Sequence, residues 1–478
     1  MINNQTNFET IEQQSYQTEI LPSDKSILDH LSINPSDIKS IKPRWKRTQY
    51  RAIVNWLTKY QFYEDASNLD KVRGYVEAFY HLCEVENWDS ASKVLLSPLE
   101  FLDGNHLSLQ LDIWSYYQEE ISLCQKLLYK LNSTVDIDCF VVMGDGYIDL
   151  GQYQKAFEAY QNGLKLSRQI NNCNGEITNL LCLGLICHYQ GQYNEAVKYY
   201  QQALKTNIKL EDLTSEYLFL KAKTLGNLGI TYHNLDKYNE SVQCNESSLA
   251  LFRQLGDQRG EASALLGLGQ DYYTLGDYEK GFDCTQQALD IAQEIGDRSN
   301  EAEALNILGM LYREMGDYEQ AIDLHQQQII IVREVGDLRG EGYAMGNLSV
   351  VYEKLEDYVQ SGNYAQKHLA ISQRLGDRRG EGAALHSLGI ALLELSEFTD
   401  ALKILQTALA IFKEVDSKSE EAQILQDLAI VYWELSDIDS ALECCYKALD
   451  LITALELPSI KNCQELIEQI KNNEQQRD

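Results

Sequence analysis

The residues in this chain that could do chemistry are numerous but scattered. Eight histidines (His30, His81, His106, His188, His233, His325, His368 and His386) never pair at the short spacing that brings two imidazoles onto one metal. Eleven cysteines include no Cys-x-x-Cys pair, and their odd number argues against a disulfide framework. His-Glu-x-x-His, Gly-x-x-x-x-Gly-Lys-Ser/Thr and Gly-x-Ser-x-Gly are all absent, so zinc hydrolysis, phosphate cradling and the serine elbow have no sequence support. Acids outnumber bases 72 to 41, but the recurrent carboxylates explain themselves structurally. Asp277, Asp317 and Asp357 stand where a helix begins and can cap its free N–H groups, with Gln320 placed to complete a capping box. Glu261, Glu301, Glu341, Glu381 and Glu421 fall in first helical turns, where the dipole favours negative charge. No catalytic residue, metal ligand or cofactor site is expected.

The elements that hold these residues repeat. Gly256-Asp257-Gln258-Arg259-Gly260-Glu261 returns at Gly336 and Gly376, in shortened form at Gly296, and a second marker falls between at Gly276-Asp277-Tyr278, Gly316-Asp317-Tyr318 and Glu356-Asp357-Tyr358. Two turn signals per 40 residues with helix-period apolar residues between them predict two helices per repeat, a stacked array. One small residue indexes the first helix of each pair: Gly144, Gly184, Gly229, Gly269, Gly309, Ser349, Gly389 and Ala429. The interval is 40 residues except for 45 between Gly184 and Gly229, where Glu211–Glu216 is inserted. A large apolar residue precedes each marker, and a small residue recurs twelve positions after it, from Ala156 to Ala441. That is a packing code, in which small residues let backbones approach and large ones fill the gap.

Outside the array, residues 1–36 are polar and acid-rich and read as a disordered tail. Residues 37–135 read as an irregular helical cap with one degenerate repeat at 72–96 and a further helical stretch over 107–131. The regular repeats span 137–456, and a capping helix and tail occupy 457–478, with Leu466, Ile467 and Ile470 facing inward. The net charge of −31 disfavours nucleic acid and anionic membrane, and no apolar run is long enough to cross a bilayer. With no signal segment and isolated cysteines, a cytoplasmic location is expected. Charge reverses locally: Lys39, Lys42, Arg44, Lys46, Arg47, Arg51 and Lys59 face only Asp37, with Trp45, Tyr50 and Trp56 interleaved. Such a segment is expected to dock on the acidic body of its own chain; binding an acidic partner or nucleic acid is the alternative.

The recurring apolar-x-x-Leu-Gly-x-x-Tyr, Gly-Asp-Tyr, Ala and Ala-Leu positions resemble the tetratricopeptide repeat over eight copies. The usual unit is about 34 residues and ends in proline. Here no proline occurs between Pro98 and Pro458, and Arg253, Gln293, Arg333, Gln373 and Lys413 stand where the breaker would be. The second helix should therefore run on until Gly256, Gly296, Gly336 or Gly376 stops it, which lengthens the period. Forty-residue copies with Gly-Asp-x-x-Gly-Glu are similar to the repeats of Pins-type adaptors, of which only the scaffold portion carries over. The resemblance implies an all-α, right-handed α-solenoid of stacked helix-turn-helix repeats whose first helices line a concave face.

It also implies which positions meet a bound segment: two, three and six before each small marker, and one, four and five after it. Those positions give Lys223, Asn227, His233, Tyr273, Asn306, Arg313, Tyr343, Asn347 and His386 as the candidate peptide-binding set. Asparagine offers a donor and an acceptor to a peptide backbone. Lysines recurring at these positions would mark capture of a C-terminal carboxylate, as in chaperone-binding members, and only Lys223 fits. The mixed set suits an extended or helical partner segment with apolar anchors and some basic character. The expected function is a non-enzymatic scaffold or adaptor. The alternative is a signalling or transcription regulator in which the repeats sense a partner and segment 36–60 carries the output.

Overall fold

The computed structural model describes residues 18–20, 25–63, 65–99, 102, 104–206, 214–454 and 460–477. Almost every described element is a helix, and the chain divides into two compact units, residues 1–235 and 236–478. In the first unit the helices are α1 (Lys25–His30), α2 (Arg44–Lys59), α3 (Asn68–Glu84), α4 (Trp88–Leu96), α5 (Leu107–Ile113), α6 (Tyr117–Leu127), α7 (Ser133–Asp149), α8 (Tyr153–Ile170), α9 (Cys173–Tyr189), α10 (Tyr193–Lys205) and α11 (Ser215–His233). A short antiparallel ribbon, β1 (Thr18–Ile20) with β2 (Gln61–Tyr63), accompanies them and had no signal in the sequence pattern. In the second unit come α12 (Tyr238–Leu255), α13 (Gln258–Leu275), α14 (Tyr278–Ile295), α15 (Arg298–Glu314), α16 (Tyr318–Val335), α17 (Leu338–Lys354), α18 (Tyr358–Leu375), α19 (Arg378–Glu394), α20 (Phe398–Glu414), α21 (Lys418–Glu434), α22 (Ile438–Ala454) and α23 (Ile460–Arg477). Within each unit the helices pack on their neighbours in sequence, which is the stacked helix-turn-helix architecture of an α-solenoid.

Both turns of the 40-residue repeat have a definite job. Gly256, Gly296, Gly336 and Gly376 end the second helices with φ between 67° and 77°, a left-handed conformation that glycine adopts without strain. The next residue, Asp257, Asp297, Asp337 or Asp377, accepts a hydrogen bond from the first turn of the following helix. Asp277, Asp317 and Asp357 cap the second helices in the same way. At Gly340 a side chain would have its Cβ 2.4 Å from the Asp337 carboxylate, so the second glycine of Gly-Asp-x-x-Gly-Glu makes room for the cap.

The small markers work against a partner sixteen residues on. A Cβ at Gly144 would stand 2.3 Å from the Tyr160 ring, at Gly184 2.4 Å from Tyr200, at Gly309 2.7 Å from His325 and at Gly389 2.4 Å from Leu405. Where the marker is itself larger, at Ser349 and Ala429, the residue sixteen later is smaller, Ala365 and Cys445. All four of these side chains are fully buried. At these two repeats the marker and its partner trade size, as close packing demands, whereas a glycine marker faces side chains from Thr285 to Tyr160.

The N-terminal region departs from expectation in three places. Residues 25–36, read as part of a disordered tail, contain α1 and bury Ile27, Leu28, Leu31 and Ile33 in the same core as Ile53, Leu57 and Phe79. Four apolar side chains within seven residues outweigh the polar average of the tail; residues 1–17 and 21–24 lie outside the described residues. The helical stretch at 107–131 is two helices, broken at Ser115 with φ of 64°. The basic segment does not dock through its charges. Helix α2 buries Ile53 and Leu57, whereas Lys39, Lys42, Arg44, Arg51 and Lys59 are exposed and Lys46 and Arg47 half-buried. Arg47 donates to the Lys39 carbonyl, and none of the seven cations forms an ion pair among the described residues. Apolar burial holds this helix, so its cations need no carboxylate.

Candidate binding face

In the second unit the first helices of successive pairs also touch one another, α13 against α15, α15 against α17, α17 against α19 and α19 against α21. Their shared strip is therefore the closely spaced inner side of this stack. The predicted positions on it join laterally from repeat to repeat. Asn347 Nδ2 donates to Asn306 Oδ1 at 2.7 Å. Arg313 Nη2 donates to the Tyr273 hydroxyl at 2.7 Å and to Glu314 Oε1 at 2.8 Å. His386 Nε2 lies 2.6 Å from Asp427 Oδ2. The Asn347–Asn306, Arg313–Tyr273 and His386–Asp427 links each span 40 or 41 residues, one repeat, so the row is a ladder fixed by the period. In the asparagine rung one amide nitrogen, on Asn306, and one amide oxygen, on Asn347, are left over among the described residues, a donor and an acceptor side by side. Tyr343 stands beside them, half exposed and without a polar partner among the described residues.

Acids accompany this row. Glu303 opens to solvent, yet desolvation by the surrounding wall holds its carboxyl above the usual carboxylate range. Glu353 is raised for the same reason, with Lys354 and His386 opposing the shift. Burial likewise raises the Tyr273 phenol, opposed by the Arg313 charge.

In the first unit α7, α9 and α11 meet in the same manner. Lys223 is exposed, with its ammonium 5.6 Å from the centre of the Phe219 ring. Asn227 is half-buried, and its side-chain amide makes no hydrogen bond among the described residues. His233 is also half-buried on α11. His188 Nδ1 lies 2.9 Å from Thr231 Oγ1, and burial lowers the imidazole so that it is neutral at pH 7. The nine expected residues thus fall in two sets, Lys223, Asn227 and His233 in one unit and the other six in the second.

The sequence reading passed over an acidic part of the first unit's face. Applied to Gly144, the same index gives Asp138, Asp145 and Asp149. Both Asp138 and Asp145 open to solvent, yet desolvation by the surrounding wall pushes their carboxyls up to about 6, and Asp145 accepts from the Tyr160 hydroxyl at 2.5 Å. The index would have found these three; Asp112 and Glu120, which join them from α5 and α6, precede the regular repeats and gave no signal.

Within each unit this arrangement defines a class: helical-repeat proteins in which the first helices of successive pairs share one strip of side chains. Tetratricopeptide repeat profiles match residues 140–208, 220–280, 262–329 and 341–414, and again 422–454, well over half of the chain. The protein belongs to the tetratricopeptide repeat family. Among curated proteins it is similar to the 43 kDa receptor-associated protein of the synapse from Gallus gallus, 25% identical over 159 residues. That match takes in 31% of this chain and spans only 37% of the relative's length. Among solved structures, a Rap protein complexed with Competence and Sporulation Factor aligns with TM-score 0.53 at 15% identity, over 81% of this chain and 99% of the other. The apo quorum sensor NprR from B. thuringiensis aligns with TM-score 0.53 at 15% identity, over 81% and 100%. A signal-transduction ATPase with a tetratricopeptide repeat sensor from Pyrococcus horikoshii aligns with TM-score 0.50 at 14% identity, over 93% and 74%. At these identities the structural likeness is one of fold.

Proposed function

We propose that this chain is a non-enzymatic scaffold that holds a segment of a partner protein along the strip of first helices. The observation that carries the reading is the Asn347–Asn306 rung, which presents one donor and one acceptor at the spacing of the repeat. A peptide backbone needs that pair, and pre-ordered side chains lose little entropy on binding it. The partner segment is extended or helical. Basic character suits it, because Glu303, Glu353 and Asp427 in one unit and Asp138, Asp145 and Asp149 in the other line the two faces. A Rap protein of like fold has been solved complexed with Competence and Sporulation Factor, which supports complex formation as a use of this architecture. All eleven cysteines are free thiols, which suits the cytoplasm, and no helix among the described residues is long and apolar enough to cross a membrane.

The test is capture from native lysate by wild type beside an Asn227→Ala, Asn306→Ala, Asn347→Ala triple variant. A protein held by wild type and lost by the folded variant supports the reading. Equal capture by both overturns it.

A second reading rests on the exposed cations of segment 36–60, which form no ion pair among the described residues: these residues hand a signal from the repeats to another molecule. Because α2 contributes Ile53 and Leu57 to the core, deletion would disturb the fold, and reversal of charge is the cleaner test. If Lys42→Glu, Arg44→Glu, Arg51→Glu abolishes cellular output while partner capture persists, the regulator reading gains; unchanged output removes it.

A further inference from the structure

Four carboxyl groups converge where α5, α6 and α7 meet, and the chain supplies none of them with an ion-pair partner among the described residues. Glu120, in the first turn of α6, is 3% exposed, and its Oε2 accepts no hydrogen bond. It points at Gly146 of α7, where a Cβ would stand 3.6 Å from Oε2, in ordinary contact, and 3.2 Å from Ile121, so the glycine makes room for Ile121 and the carboxyl lies directly against α7. Asp112, at the end of α5, also has a buried oxygen, Oδ1, without a partner. Asp149 lies near enough to Asp112 for its charge to add to burial in raising the Asp112 carboxyl, and Asp145 completes the group with its Tyr160 bond. Two orphaned acceptor oxygens beside two further acids would be costly if the site served only the fold.

We infer that this cluster is a receptor for a guanidinium group, an arginine side chain of the bound partner segment. The inference rests on the proposed reading that the strip of first helices receives such a segment, since Asp145 and Asp149 lie on it. A guanidinium brings five N–H donors in a rigid plane, enough to satisfy Glu120 Oε2 and Asp112 Oδ1 together, and it keeps its charge when desolvated. An ammonium is a single point charge with a costlier dehydration. A metal fits less well, because no group of three or more His, Cys, Asp or Glu side chains among the described residues is placed to hold one.

Occupancy has a distinctive signature. Burial first, then the charges of Asp112, Asp145 and Asp149, push Glu120 up to about 9, so it is protonated at pH 7 when the site is open. Around it stand Asp112 from α5, the Cys124 thiol from α6, and Asp145 and Asp149 from α7, while Lys223 from α11 opposes the charge of Asp145. A cation seated against Glu120 reverses the balance and expels its proton.

The experiment is calorimetric titration of the full chain at pH 7 with an acetylated Arg-Arg-Arg amide, its lysine counterpart and its citrulline counterpart. Repetition in two buffers of different ionisation enthalpy counts protons released. The expected result is binding of the arginine peptide with release of up to one proton, weaker binding of lysine and none of citrulline. Glu120→Gln should abolish the release and weaken binding about tenfold; Asp149→Asn, at the solvent edge, should weaken it while leaving the fold undisturbed. Asn306→Ala, Asn347→Ala should bind the arginine peptide as wild type does, so failure of the wider scaffold reading shows separately as unchanged partner capture. Equal binding of arginine and citrulline peptides, or equal affinity and proton release in Glu120→Gln and wild type, would overturn the inference.

Discussion

Arg333 Nε donates to Glu341 Oε1 at 2.7 Å, joining the last turn of α16 to the first turn of α17 across Gly336. The same link, eight residues long, joins Arg168 to Glu176 at 2.7 Å and Arg253 to Glu261 at 2.7 Å. Gln293 reaches Glu301 and Gln373 reaches Glu381 at 3.2 Å, and Lys413 lies 3.7 Å from Glu421. The residues that stand in place of the family's proline are therefore the donors of an inter-repeat clasp. The longer second helix and the Glu of Gly-Asp-x-x-Gly-Glu belong to one device, because the extra turn brings the donor to the acid. A second tier crosses it: Arg298 bridges Glu301 and Glu334, and Arg378 bridges Glu381 and Glu414.

Replacing Arg333 by proline, the residue a shorter repeat would carry, should destabilise the protein by about 3 kcal/mol, since α16 continues to Val335 and the ring would meet its preceding turn. Arg333→Ala should cost under about 1 kcal/mol, because the guanidinium is largely exposed and water screens the pair. Urea denaturation of both variants at low and high salt checks this. A proline variant as stable as the alanine one would mean that the last turn of α16 contributes nothing.

Exchange between the marker and its partner sixteen residues later gives a sharper test of packing. Gly309→Ser alone should cost about 1–3 kcal/mol, because the added Cβ meets the His325 ring. Gly309→Ser with His325→Ala recreates the Ser349 and Ala365 combination of the next repeat, and should recover part of that loss. A double-mutant cycle on thermal unfolding reads the coupling. Strict additivity would contradict the compensation.

The period, the first-helix positions and the glycine stops were legible because each is a repeated residue type at a fixed interval. The partner of the small marker was not, since Tyr160, Thr285, His325 and Leu405 share neither chemistry nor size and have in common only that each packs against a glycine. Helix α1 was hidden by the polar average around it, although Ile27, Leu28, Leu31 and Ile33 are all buried. The face was legible as a row of positions but not as a ladder, because pairing of Asn306 with Asn347 depends on how closely successive first helices approach.

Asn347→Ala should weaken the captured partner about tenfold, through loss of one backbone contact and release of Asn306 from its rung. Stability should change by less than about 0.5 kcal/mol, because both amides are reached by solvent. Titration of the partner segment by fluorescence anisotropy, beside a thermal melt, separates the two effects. A large drop in melting temperature with unchanged affinity would make the rung structural.

The two units should respond to pH in opposite senses. Glu120 is held near 9 in the folded chain against an ordinary carboxylate value when unfolded, so the folded state binds the extra proton between those values. Its contribution is therefore complete at low pH and is lost as pH rises through neutrality toward 9. His325 is buried against Gly309, accompanied by Gln328, and burial pushes it down to about 4. There the unfolded state binds the extra proton, and stability is lost as pH falls from about 6.5 toward 4. Glu120→Gln should then raise the melting temperature at pH 8 and flatten the decline between pH 6 and 9, by more than about 1 kcal/mol across that range. His325→Gln should leave that limb unchanged and flatten the loss below pH 6.5. Calorimetric scans of wild type and both variants at half-unit pH steps check the assignment, and a Glu120→Gln profile parallel to wild type would show that the buried carboxyl is already neutralised by a partner.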